Sequence, residues 1–104
     1  MSTTTQQAPW YVEHSPQIGK AFGGFLQAAK EEGVLDQKTK ELLMLAGACA
    51  FRCPYCTEEH IKGAREAGAS DAEISETLLI TALEGAGTQL HWARELYEKQ
   101  FQQG

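Results

Sequence analysis

LLMLAGACAFRCPYCTEEHIKGAREAG, residues 42–68, contains the junction that decides the fold. Its first ten residues, 42–51, are all apolar or small. Pro54 pushes Cys53 out of the α region and suits the first position of a new helix. The reading is one helix that ends before the Cys-Pro pair and another that runs from Pro54 to about residue 67, closed by Gly68. Cys53 then falls at the N-cap of the new helix and Cys56 at its third position. Amide N–H groups there are unpaired and the dipole end is positive, which favours thiolate. His60 follows Cys56 by one turn and shares its face.

The same signs predict helices outward from the junction. Asp36 caps the helix that enters it, which carries a polar first turn and an apolar remainder on every side. A helix apolar all round is buried on all sides. In a chain this small, that points to a neighbouring subunit as well as the chain's own core. Upstream, Ser15-Pro16 opens a helix to about residue 33, with Ile18, Phe22, Phe25, Leu26 and Ala29 on one stripe. Gly23-Gly24 weakens it by about 1 kcal/mol per glycine relative to alanine. Downstream, Ser70 to Glu73 is a capping box, with Ile74, Leu78 and Ala82 on the helix face that follows. Gly85-Ala86-Gly87 reads as a break, and a last helix is predicted over 88–101. No segment alternates as a half-buried strand does. The expectation is an all-α fold, a bundle of five helices with short connections. Residues 1–14 are expected to form a flexible N-terminal segment and 15–104 a single helical domain. Trp10-Tyr11 reads as a core anchor or subunit contact.

Charge and composition narrow the function. The chain has 104 residues and a net charge of -5. That balance argues against a nucleic-acid partner, whose backbone needs a basic face. The longest apolar run is ten residues, against about 20 for a membrane span. Residues 1–9 are polar, with none of the charge and apolar pattern of a secretory signal. Three cysteines do not make an even disulfide framework. In the cytoplasmic setting expected here, a CxxC reads as redox or metal chemistry.

Two thiols spaced i, i+3 at a helix start lie within disulfide range and can cycle between dithiol and disulfide. His60 can take or return a proton near neutral pH. Other readings use the same residues. Cys49, Cys53, Cys56 and His60 could supply four zinc ligands, although structural zinc pairs usually come from separated knuckles. Cys49-x3-Cys53-x2-Cys56 also has the spacing of a radical S-adenosylmethionine cluster, whose barrel is far longer than this chain. Cys49 sits among Ala and Gly, as a small buried residue does. His91 reads as packing or surface, and Glu58, Glu59, Glu66 and Glu76 as a solvated face.

Glu41-x11-Cys53-x2-Cys56-x3-His60 resembles the signature of the alkylhydroperoxidase D-like proteins of the carboxymuconolactone decarboxylase superfamily. The likeness extends over roughly residues 35 to 100, through SDAEISETLLITALEGAG. The resemblance implies an all-α fold that assembles as a homotrimer or homohexamer. It also implies thiol peroxidase chemistry, with Glu41, Cys53, Cys56 and His60 at the proton-relay and redox positions. Glu41 comes from the resemblance alone. A simple hairpin would leave it well beyond His60, at about 1.5 Å per residue. Many peroxidase members carry histidine between the cysteines, where this chain has Tyr55. The superfamily's lactone decarboxylases generally lack the CxxC.

The expected function is a thiol-dependent peroxidase that reduces hydroperoxides and is reset by an external dithiol of lipoyl or thioredoxin type. No cofactor, bound metal or membrane is expected. Helix-start position favours Cys53 as the attacking thiol, and proximity to His60 favours Cys56. The alternatives are a redox-sensing disulfide switch without efficient turnover and a metal-binding helical protein.

Overall fold

A computed structural model describes residues 9–102. Among the described residues there are five α-helices and no strand. The chain divides into two compact units, residues 1–33 and 34–104.

The first unit holds α1 (Trp10–His14) and α2 (Pro16–Lys30). The flexible segment expected over 1–14 lies, for residues 1–8, outside the described residues, and Trp10–His14 is a single helical turn. Pro16 takes the first position of α2 as expected, but the Ser15 side chain makes no cap hydrogen bond. The Tyr11 ring meets Phe22 edge-on at 5.5 Å, while Trp10 is 73% exposed. Tyr11 therefore anchors α1 on α2. The α2 stripe of Ile18, Phe22, Phe25 and Leu26 stays exposed.

The second unit holds α3 (Gln37–Ala50), α4 (Pro54–Glu66) and α5 (Asp71–Gln102). Each start is fixed by the chemistry its sequence declares. Asp36 Oδ1 accepts from the Thr39 amide at 2.8 Å. Ser70 and Glu73 form the reciprocal box, with Ser70 N–H donating to Glu73 Oε1 at 2.8 Å and Glu73 N–H donating to Ser70 Oγ at 3.1 Å. Lys38 Nζ donates to the other oxygen of Glu73 at 2.9 Å, tying the first turn of α3 to that of α5.

Two helix ends use one device. At the end of α4, Gly68 N–H donates to Arg65 O and Ala69 N–H to Ala64 O. This is the Schellman pairing, which needs a left-handed residue. Gly68 supplies it with φ 96°. At the end of α3, Arg52 N–H donates to Cys49 O at 3.1 Å and Cys53 N–H to Ala48 O at 3.0 Å. The left-handed residue there is Arg52, with φ 62°, the one non-glycine in that region among the described residues. The α3–α4 link is therefore a fixed turn.

The core is small. Leu45 is fully buried and packs with Ala64, Ala69 and Ile74, flanked by Leu42, Ile61 and Leu78. The expectation of complete burial for the helix before the junction fails in the single chain, where Leu43 and Phe51 are exposed. The break at Gly85–Gly87 is also absent, because α5 runs unbroken through both glycines for 32 residues. A helix-interior glycine costs about 1 kcal/mol, and helix-forming sequence on both sides outweighs it. Five helices result, but not the five expected: α1 is added and the last two are one. No helix among the described residues is long and apolar enough to cross a membrane.

The caps set a pH dependence. The hydrogen bond from Lys38, then that from the Ser70 amide, holds the Glu73 carboxyl below its ordinary 4.5. The Thr39 amide holds Asp36 below its ordinary 3.8. A carboxyl depressed in the folded state stabilises it above the unfolded pKa and loses that contribution as pH falls through the folded value. As pH falls below the ordinary carboxyl values and through the lowered ones, the starts of α3 and α5 should fray. Replacing Lys38 with Gln should move the Glu73 midpoint upward, measured by carboxyl NMR titration. An unmoved midpoint would separate the two helix starts.

Candidate active site

Cys53 serves two helices at once. It is the second residue beyond the C-cap of α3 and the N-cap of α4. Its carbonyl accepts from Thr57 N–H at 2.9 Å and Thr57 Oγ1 at 2.8 Å. Its sulfur accepts from the Cys56 amide at 3.1 Å. Cys53 and Cys56 are joined in a disulfide, with Cα atoms 5.3 Å apart, within the usual range for that bond. Cys49 is a free, partly buried thiol.

His60 lies on α4 one turn after Cys56. Its Nδ1 is 3.0 Å from Glu41 Oε1 on α3. The two side chains are only 18% and 14% exposed, so water screens this contact little. A carboxylate only accepts hydrogen bonds, so toward ionised Glu41 it is Nδ1 that donates, and in the neutral ring this leaves the lone pair on Nε2. The α3–α4 pairing thus delivers an oriented imidazole on the helix that carries both cysteines. No group of three or more His, Cys, Asp or Glu side chains is gathered as a metal site among the described residues.

Glycine explains how Glu41 reaches His60. A simple hairpin offsets the two residues along the axes, yet they meet. Gly63, one turn beyond His60, faces Glu41, and a Cβ there would overlap the carboxylate. The bare backbone of Gly63 leaves room for the Glu41 side chain to lie against α4 and extend to His60. Sequence reading gave Gly63 no role, and no local signal marks it.

Among the other residues singled out, Tyr55 is 72% exposed at the second position of α4. Glu58, Glu59, Glu66, Glu76 and His91 are exposed. An open pocket of about 550 Å³ beside the disulfide is lined by Arg52, Cys53, Pro54, Glu58, Ile61 and Lys62, among others. Arg52 is the second residue the sequence reading overlooked.

The fold corresponds to that of known proteins. The model of the Carboxymuconolactone decarboxylase family matches residues 16–99, and the chain belongs to that family. A Paracoccus denitrificans protein, called uncharacterized protein 4 in cox locus, is 39% identical over 70 residues, covering 67% of this chain and 63% of that protein. An uncharacterized Mycobacterium tuberculosis protein is 40% identical over 67 residues, covering 64% of this chain and 22% of its own length. The match thus spans less than two thirds of either relative. A crystal structure from Methanobacterium thermoautotrophicum superposes with a TM-score of 0.76 at 32% identity, covering 84% of this chain and 98% of that one. A family member from Legionella pneumophila gives 0.67 at 36%, covering 90% and 83%. One from Thermotoga maritima, described as a candidate for involvement in antioxidative response, gives 0.57 at 33%, covering 77% and 93%.

The Gly63 contact is directly testable. Alanine in a helix interior normally gains about 0.5–1 kcal/mol over glycine. Gly63→Ala should forfeit that gain and displace Glu41, so that the His60 ring nitrogen NMR shifts approach those of Glu41→Gln. Unchanged His60 shifts in Gly63→Ala would show that the carboxylate has room elsewhere.

Proposed function

We propose that this protein is a thiol-dependent peroxidase, in which Cys53 and Cys56 carry the redox change and the Glu41–His60 pair handles protons. The observation that carries this reading is the half-buried Nδ1–carboxylate contact. It serves an imidazole one turn from a cysteine at a helix start. In the dithiol form, His60 Nε2 takes the Cys56 proton, and the peptide N–H groups at the α4 start favour the thiolate. The thiolate attacks the terminal oxygen of a hydroperoxide. The O–O bond breaks, the alkoxide takes a proton from the imidazolium, and Cys56 becomes a sulfenic acid. Cys53 attacks that sulfur, water leaves, and the disulfide forms. An external dithiol returns two electrons and two protons.

A second reading keeps the disulfide as a switch with slow turnover. Tyr55 supports it, because its phenol stands where peroxidase members of the resembled group often have an imidazole.

The protein is also proposed to act as a homotrimer or homohexamer in the cytoplasm. Leu43, Phe51, Leu79, Ile80 and Leu83 are exposed in the second unit, with Leu90, Trp92, Leu96, Tyr97 and Phe101 farther along α5. Exposed apolar surface on this scale marks an interaction face. Sedimentation equilibrium at micromolar concentration should give a mass of three or six chains. A stable monomer would remove the assembly.

Steady-state peroxide reduction with dithiothreitol, and with a lipoyl dithiol, tests the chemistry. Cys56→Ser should abolish turnover. His60→Ala should slow it by about 10²–10⁴-fold, the usual worth of general-base help, and Glu41→Gln less, since the imidazole remains. Alkylation of Cys56 should slow in the same order. Wild-type rates in both relay variants would leave the helix start as the only activator. Full disulfide cycling without peroxide consumption would favour the switch.

A further inference from the structure

We propose that Arg52 is a recognition residue that selects an acidic group on the dithiol that reduces the Cys53–Cys56 disulfide; this rests on the redox reading of that pair.

Backbone conformation is the first observation. The end of α4 fills its left-handed position with Gly68, whereas the equivalent position at the end of α3 holds Arg52. A side chain in that region is disfavoured, and Gly would fill it freely. Arginine brings nothing to the turn that glycine would not supply better. Strained residues of this kind cluster at ligand sites, where surrounding structure holds them. Here two Schellman hydrogen bonds hold Arg52 directly before Cys53.

Placement is the second. Arg52 and Cys53 line the same open pocket, together with Pro54 and Ile61. Lys62 adds a second positive charge and Glu58 a negative one, so this rim carries one net positive charge in a protein of net charge -5. Arg52 is in no ion pair with a described residue, including Glu58 and Glu84, which lines the adjoining pocket. A planar fork of donors suits a carboxylate.

Of the two disulfide cysteines it is Cys53 that lines this pocket, together with the free thiol Cys49. The reductant's thiolate attacks Cys53 Sγ, and the disulfide breaks. Cys56 leaves as thiolate and takes a proton from the medium or His60. The reductant's second thiolate attacks its own sulfur in the mixed disulfide, and Cys53 leaves and is protonated. The dithiol becomes a cyclic disulfide, and the protein gains two electrons and two protons. A carboxylate on Arg52 would hold the attacking chain beside Cys53 without entering the chemistry.

The reductive half-reaction, followed without peroxide, tests this. Oxidised protein is mixed with dihydrolipoate or dihydrolipoamide, dithiols that differ by one charge, and with dithiothreitol as neutral control. Thiol appearance is timed by quench alkylation and mass spectrometry. At low ionic strength the wild type should favour dihydrolipoate by about two- to five-fold, the range for an exposed ion pair. Salt should shrink the gap. With each lipoyl rate divided by the dithiothreitol rate of the same variant, the gap should vanish or reverse in Arg52→Gly and Arg52→Gln and persist in Arg52→Lys. Arg52→Gly should melt no lower than wild type, since it relieves the backbone. Equal wild-type rates, or a gap that survives in the Gly and Gln variants, would overturn the assignment and leave the redox reading intact. An altered sedimentation mass in Arg52→Gln would make Arg52 an assembly residue instead. Failure of all three dithiols to reduce the protein would remove the redox reading, and this proposal with it.

Discussion

Every part of the site depends on the hydrogen bonding of Cys53. Its N–H closes the end of α3 through Ala48, its carbonyl opens α4 through Thr57, and its sulfur caps α4 through the Cys56 amide. One residue thereby joins two helices with no slack. The cap couples structure to redox state. A sulfur that accepts an amide hydrogen accepts it more strongly as thiolate, because a charged acceptor makes the stronger bond. Under the proposed chemistry, reduction would leave the start of α4 capped by the Cys53 sulfur, while the positive helix end would favour thiolate at Cys56 as well.

The fixed turn also sets the register of α3 against α4, and Glu41 meets His60 only through that register. This explains what could be read from sequence. Asp36, the Ser70–Glu73 box, Pro54, Gly68 and the disulfide spacing act over four residues or fewer, so each is visible locally. The Glu41–His60 contact spans nineteen positions. It depends on the left-handed turn at Arg52 and on the missing side chain at Gly63. Neither leaves a local pattern: arginine is not a residue one expects at φ 62°, and a single glycine inside a helix reads only as a weak spot. The resemblance supplied Glu41 where spacing could not. Gly85 and Gly87 misled in the opposite direction. Propensity is a weak prior, and α5 overrides two unfavourable residues along a continuous helix.

That long helix bears on assembly. At about 1.5 Å per residue α5 extends roughly 48 Å, but the buried cluster engages only its first turns, through Ile74 and Leu78. Its later large apolar residues stay more than half exposed in the single chain. An isolated helix is marginal in water without tertiary packing. Covering this face with other copies would add the apolar burial that the small core lacks. The sequence pattern of an all-round apolar α3 carries the same information, since Leu43 and Phe51 face outward where Leu45 faces inward.

Proton transfer, under the proposed chemistry, concentrates on one imidazole. Tyr55 lies between the cysteines but is largely solvent-exposed, and among the described residues no second histidine lies near the pair in sequence. His60 must then both accept the thiol proton and return it to the alkoxide. Such a shuttle needs its ring to keep one orientation through both steps. The Nδ1 bond to Glu41 supplies that, because rotating the ring would break a poorly screened contact to a charged partner. Glu41 is in turn confined by the Gly63 backbone beside it. The half-buried disulfide is thus served, under that chemistry, by a relay whose rigidity originates in the α3–α4 packing.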